Sequence, residues 1–323
     1  MKSQNPSSSA LSKFTSFSHV DRYPGNPILT AADFPPSHRI QHVFNSGVVK
    51  YQGRYLMMCR CENARLKPLF WIAESDDGIR FTLRAAPVVM PVDDPVFARH
   101  TSKTFYDPRI TPLDGKFYIT HAAHSEHECR LSLLETEDFE VFRWKGFISE
   151  PDNRNGVLFP AKFNGLYARL DRPNVGNGNS AIWISYSPDL IHWGQSEIVL
   201  EKNQIHWCYG KIGPGAVPIR TEHGWLNIFH GVRTQCAQHY VYQLGVCLHD
   251  LENPGRLIGF SRETILAPEE PYEILGQAPT VVFTCGAVLE DDGSLKLYYG
   301  GADRVMCLAT TSVDRLVALC DPV

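Results

Sequence analysis

One acid and a set of cations stand where this chain could do chemistry. In Tyr106-Asp107-Pro108-Arg109 the proline, with its fixed φ and missing N–H, ends regular strand pairing and frees Asp107 to point away from a sheet. A carboxyl so placed is a candidate general acid. An isolated Asp-Pro only marks a turn, but other strand ends carry matching residues. Arg60 follows Met57-Met58-Cys59, Arg172 follows Leu170-Asp171, His230 precedes Gly231, and Asp303 follows Gly300-Gly301-Ala302. Lys211 opens one strand and Asn153-Arg154-Asn155 precedes another. Charged residues at one end of otherwise apolar strands point to a shared cavity rather than to solvated surface.

The inventory restricts the reaction. An inverting glycosidase needs two carboxylates, one to protonate the leaving oxygen and one to activate water on the opposite face of the sugar. In Phe44-Asn45-Ser46-Gly47 the residue type at the corresponding place is an amide, not a second acid. A nucleophile that carries its own charge, such as inorganic phosphate, removes the need for that base. Arg154, Arg172 and Lys211 could bind it, Arg through paired hydrogen bonds and Lys as a point charge. The expected chemistry is phosphorolysis of a glycoside, with phosphate as co-substrate and no cofactor. Glu150 and Asp152 keep a hydrolase open as an alternative, and a non-catalytic sugar-binding protein is a third reading, disfavoured by the presence of Asp107 with the cations.

The elements that must position these residues repeat along the chain. Apolar strands run into Ser/Thr-x-Asp turns at Ser75-Asp76-Asp77, Thr136-Glu137-Asp138 and Ser187-Pro188-Asp189, with looser copies at 246–253 and 309–315. Upstream of each turn lies a Gly-led strand, beginning at Gly53, Gly115, Gly165, Gly224 and Gly293. A further strand precedes each of these, joined by turn pairs such as Gln52-Gly53, Asp114-Gly115 and Asn164-Gly165. A spacing of roughly fifty to sixty residues without helical pattern is the mark of radial β-repeats, whose small sheets bury their faces only against neighbours. The expected fold is all-β, a five-bladed propeller over residues 21–323 following a flexible N-terminal segment, 1–20. The first strand of each blade should face the central channel.

Composition narrows the partners. A net charge of −4 with no basic run argues against nucleic acid. No apolar segment is long enough to span a membrane, and Met1 to Ser18 lacks the apolar core of a signal peptide, so a cytoplasmic protein is expected. Nine scattered cysteines read as buried free thiols. Small oligosaccharide and phosphate are the expected partners, with room for a homo-oligomer.

The ordered series Asn26-Pro27-Ile28-Leu29, Phe44-Asn45-Ser46-Gly47, Ser75 to Phe81, Asp107-Pro108-Arg109-Ile110-Thr111, Leu158-Phe159-Pro160, Arg172-Pro173, Trp207 to Gly213, Gly224-Trp225-Leu226, His230-Gly231, Val281-Val282-Phe283 and Tyr299 to Asp303 resembles the β-mannoside phosphorylases of glycoside hydrolase family 130. The resemblance covers nearly the whole chain. It implies a five-bladed propeller that converts a β-mannoside and phosphate into α-mannose 1-phosphate with inversion. It implies Asp107 as proton donor, acting through the neighbouring mannose hydroxyl. Phosphate ligands would be Arg154, Asn155, Arg172 and Lys211, with substrate contacts from Asn45, Arg60, His230 and Asp303. Tyr106, where the family usually has Glu, departs from the pattern and joins the substrate contacts.

Other residues have plainer readings. His121, His124 and His127 are not spaced for a metal, since residues three apart on a strand face opposite ways, and they suit a sugar rim or a solvated loop. Trp71, Tyr106, Tyr209, Tyr240 and Tyr242 could stack on sugar rings, whereas Trp193 and Trp225 fit the core. Asp76, Asp138 and Asp189 are expected to be structural turn residues.

Overall fold

A computed structural model describes residues 18–176, 180–234 and 239–323. Five antiparallel sheets follow one another along the chain as the blades of a propeller. Blade one comprises Ile40–Tyr51, Arg54–Asn63, Pro68–Ser75 and Thr82–Leu83, and blade two Thr104–Leu113, Lys116–Ser125, Glu128–Thr136 and Arg143–Phe147. Blade three comprises Asn153–Phe163, Leu166–Pro173, Ala181–Ser187 and Gly194–Glu201. Blade four is built on Lys211–Pro214, Trp225–Thr234, Tyr240–His249 and Leu257–Ser261, and blade five on Val282–Leu289, Ser294–Gly301 and Val305–Ser312.

Both ends of the chain lock the ring. Asp21–Arg22 pairs with Val305–Ser312 as the fourth strand of blade five, and Cys320–Pro322 pairs with Leu257–Ser261 at the edge of blade four. Arg22 also reaches sideways, donating from Nε and Nη2 to the two carboxylate oxygens of Glu273 at 2.8 and 2.9 Å. Glu273 is fully buried and also accepts from the Tyr299 hydroxyl at 2.8 Å. The expected segment 1–20 lies mostly outside the described residues. Its last residues already belong to the fold, because His19 N–H donates to Ile265 O and Val20 is buried.

The local chemistry follows from turn geometry. Gln52-Gly53, Asp114-Gly115 and Asn164-Gly165 all have positive φ at both positions, the condition for the tight turn whose twist matches that of the paired strands. The Asp turns recur in four blades. Asp138, Asp189 and Asp250 each accept two backbone N–H bonds through Oδ1. In blade one the same role falls to Asp77, which accepts from Ile79 and Arg80, and not to the expected Asp76, which pairs with Arg54 on the surface. Those backbone bonds hold the carboxyls of Asp77 and Asp189 well below the usual range.

Apolar wedges between neighbouring blades form the core, and Trp225 lies inside the one between blades three and four. The wedge between blades two and three is smaller, and Trp193 packs against it half-buried. Blade three there carries a buried ion pair, Arg169 to Asp171 at 2.7 Å. Among the described residues eight cysteines are free, seven of them buried, and no helix is long and apolar enough to cross a membrane.

Candidate active site

Three blades deliver side chains to the channel by the same device. The innermost strands of blades one, two and three each carry one extra residue against their partner. Pairing jumps from Phe44↔Arg60 to Gly47↔Met58, from Tyr106↔Ala122 to Arg109↔Thr120, and from Arg154↔Arg172 to Val157↔Leu170. The first residue of each bulge is left-handed: Asn45 at φ 48°, Asp107 at 55° and Asn155 at 59°. Short polar residues tolerate that conformation best, and a bulge re-aims the side chain it carries. Asp303 joins them from a turn of blade five, also left-handed, at φ 50°.

These side chains line one cavity of about 450 Å³ together with Arg60, Tyr106, Arg154, Arg172 and His230. Of the ten residues singled out in the sequence, nine meet there. The tenth, Lys211, opens the innermost strand of blade four and lines an adjoining pocket of about 360 Å³, which shares Arg154, Arg172 and Tyr240 with the channel.

The two sides of the channel differ in charge. On the side of blades five, one and two, Asp107 Oδ1 accepts from Arg60 Nη1 at 2.8 Å and from Asn45 Nδ2 at 3.2 Å. Arg60 Nη2 donates to Glu62 at 2.8 Å, and Gln277 donates to the other Glu62 oxygen at 3.1 Å. One guanidinium therefore serves a cluster of carboxylates. Burial, reinforced by the charges of Asp107 and Glu62 and opposed by Arg60, pushes Asp303 up to about 7.

On the side of blades three and four the groups are cationic. Arg154 is held from behind, Nη2 donating to both oxygens of Asp152 at 2.6 and 2.8 Å. Burial lowers the pKa of Lys211, and the charges of Arg172 and Arg154 lower it further. Burial beside Arg172, Arg109 and Lys211 drives His230 well below its ordinary value. Its neutral ring can accept at Nε2 from Asn155 Nδ2 at 3.3 Å and Arg172 Nη1 at 3.4 Å. Mutually repelling cations of this kind are relieved by an anion placed among them.

Beneath the acid lies Arg109, whose importance sequence reasoning missed. It is almost wholly buried and donates to the carbonyls of Asp107 at 3.0 Å, Gly215 at 2.7 Å and Pro214 at 3.4 Å. It thus fixes the left-handed turn under Asp107 and ties blade two to blade four across the channel. The only sequence signal was an Arg two places after the acid. Val281 and Phe283, which contribute apolar surface to the channel, were quoted in the family motif but given no role.

Three expectations are corrected. Trp71 does not face sugar: it is fully buried, edge-on to Phe34, with its N–H donated to Arg84 O. His121 is not on a rim but packed among Phe70, Phe97 and Phe105, where burial lowers it to about 4, while His124 is half-buried and His127 exposed. Tyr209 is 62% exposed and lines the adjoining pocket, not the channel, whereas Tyr106, Tyr240 and Tyr242 do line the channel. Among the described residues no three His, Cys, Asp or Glu side chains gather as a metal site.

Known proteins share this architecture. Residues 19–322 match the profile of glycoside hydrolase family 130, described as beta-1,4-mannooligosaccharide phosphorylase, and the chain belongs to that family. It is 32% identical to a beta-1,4-mannooligosaccharide phosphorylase of Ruminococcus albus, covering 92% of this chain and 89% of the relative. It is 31% identical to a beta-1,2-mannobiose phosphorylase of Listeria innocua, covering 89% and 94%. The solved structure of beta-1,2-mannobiose phosphorylase from Listeria innocua in complex with beta-1,2-mannobiose superposes with a TM-score of 0.84 at 29% identity, covering 93% of this chain and 98% of that one.

Proposed function

We propose that this protein is an inverting β-mannoside phosphorylase that takes a β-1,4-linked mannoside and inorganic phosphate to α-mannose 1-phosphate. Asp107 supplies the proton to the leaving oxygen, through the neighbouring mannose hydroxyl in the manner the family resemblance implies. Phosphate, held by Arg154, Asn155, Arg172 and Lys211, attacks the anomeric carbon from the opposite face. The C–O bond to the aglycone breaks as the C–O bond to phosphate forms, and the proton leaves with the aglycone hydroxyl. Asn45, Arg60, Tyr106, His230 and Asp303 hold the mannose.

The observation that carries this reading is the division of charge. Among the described residues both acids lining the channel, Asp107 and Asp303, lie on one side, and the facing wall offers Arg154 and Arg172, with Lys211 behind. Asp152, the nearest carboxylate to that wall, is engaged by Arg154. A hydrolase would need a base there to activate water, and phosphate needs none. The β-1,4 linkage follows the family description and the Ruminococcus relative; the Listeria relative supports β-1,2 as the second reading. The test is breakdown of β-1,4- and β-1,2-mannobiose with and without phosphate. Phosphate-dependent release of a sugar phosphate is expected, faster with the β-1,4 linkage, and equal rates in phosphate-free buffer would overturn the phosphorolytic reading.

A further inference from the structure

The cationic wall has two faces, because Arg154 and Arg172 line the channel on one side and a second pocket on the other. On the far side lies the adjoining pocket of about 360 Å³, where Arg154 and Arg172 are joined by Lys211 and Lys202. None of its described lining residues is acidic. At about 360 Å³ the pocket falls in the range of roughly 300 to 1,000 Å³ typical of clefts that hold small organic molecules. The remaining lining is of a different kind. Tyr209 is 62% exposed at the edge, Tyr240 stands on the boundary with the channel, and Asn174, Ser180 and Thr234 add short polar side chains. The Lys211 ammonium sits 5.0 Å from the centre of the Tyr240 ring, so charge and ring face are presented together. Cations that bind phosphoryl oxygens, next to tyrosine rings on which a flat or puckered ring can lie, suit an anion with an organic body.

We propose that this pocket binds organic phosphate esters, with the phosphoryl group on Arg154, Arg172 and Lys211 and the sugar or nucleoside body against Tyr209. The proposal rests on the phosphate site assigned above. Such an ester reaches the wall from the side opposite the mannoside, so it competes with inorganic phosphate while leaving the saccharide channel open. Nucleoside phosphates and sugar phosphates share the chemistry, and the relative affinities of one probe of each kind separate them.

The test titrates the full chain calorimetrically with adenosine 5′-monophosphate, with mannose 6-phosphate and with inorganic phosphate, no saccharide being present. At least one ester is expected to bind fivefold or more tighter than inorganic phosphate. Tyr209→Ala should weaken that ester at least fivefold and leave inorganic phosphate within twofold. Its exposure makes the substitution safe for the fold, and Tyr209→Phe, which keeps the ring, should hold the ester within twofold of the parent. In steady-state assays the ester should inhibit competitively against phosphate and non-competitively against mannoside. Esters that bind no tighter than inorganic phosphate, or that are indifferent to Tyr209→Ala, would overturn the proposal. Because calorimetry needs no turnover, ester binding without phosphorolysis would remove the catalytic reading and leave the pocket assignment standing.

Discussion

Replacing Asp303 by Asn should stabilise the protein, and by an amount that grows with pH. The carboxyl of the half-buried Asp303 rises from 3.8 to about 7 because the channel wall strips it of solvent beside Asp107 and Glu62, with one guanidinium, Arg60, to share. In the unfolded chain it ionises near its ordinary value, so between roughly pH 4 and 7 the folded state binds more protons than the unfolded one. Stability contributed by this group is therefore highest in acid, falls as pH rises through that window, and levels off above it. At about 1.36 kcal/mol per pKa unit the full cost is on the order of 4 kcal/mol at pH 8. At pH 5 only about 1.6 kcal/mol has accrued by the same slope. Asn cannot ionise, so Asp303→Asn should gain roughly 3 kcal/mol more at pH 8 than at pH 5. Urea titrations of parent and variant at both pH values measure this difference directly. A gain that is absent, or equal at the two pH values, would refute the reasoning that Asp303 is held neutral by its surroundings. Turnover should fall in the variant even as stability rises, as expected where a site stores unfavourable charge for function.

Other perturbations separate the roles assigned to the channel. Asp107→Asn keeps the left-handed turn but loses the proton, and turnover should drop about a hundred- to ten-thousand-fold with little change in melting temperature. Arg172→Ala should raise the KM for phosphate roughly ten- to hundred-fold, the equivalent of one charged hydrogen bond, while the mannoside KM moves far less. Asp171→Ala leaves Arg169 buried without its counter-charge and should cost about 3 to 5 kcal/mol in a urea titration, although neither residue lines the reaction channel.

The blades were legible because their turns leave little choice of residue. A tight hairpin needs positive φ at two positions, and Asp114-Gly115 and Asn164-Gly165 advertise it. The convergence of Asp107, Arg60, Arg154 and Asp303 was legible for a related reason, since repeats place equivalent strand ends around one axis. The bulges were not. Asn45-Ser46, Asp107-Pro108 and Asn155-Gly156 share only a first residue that tolerates the left-handed region, and register lies in the pairing, not in either strand alone. Trp71 and His121 were misread because alternation tells which residues share a face of a sheet but not whether that face meets another blade. Arg109 was overlooked because two of its three partners are backbone carbonyls of blade four, which no side-chain pattern reveals.

The two-residue strand at the start of the fold has reach beyond sheet closure. Arg22 neutralises Glu273, and Glu273 in turn accepts from the N–H groups of Glu269 and Glu270, folding the start of the 269–281 segment around itself. Ala278, Pro279 and Val281 of that segment form part of the channel wall. Trimming the chain to residue 23 would strand a carboxylate in the interior, and the nearest relief is for the segment to swing outward and hydrate it. The mouth that admits the saccharide would then widen before the ring itself opened. A protease or a cloning boundary that removes residues 1–22 would thus register as weakened saccharide affinity in an enzyme that still melts as a folded protein.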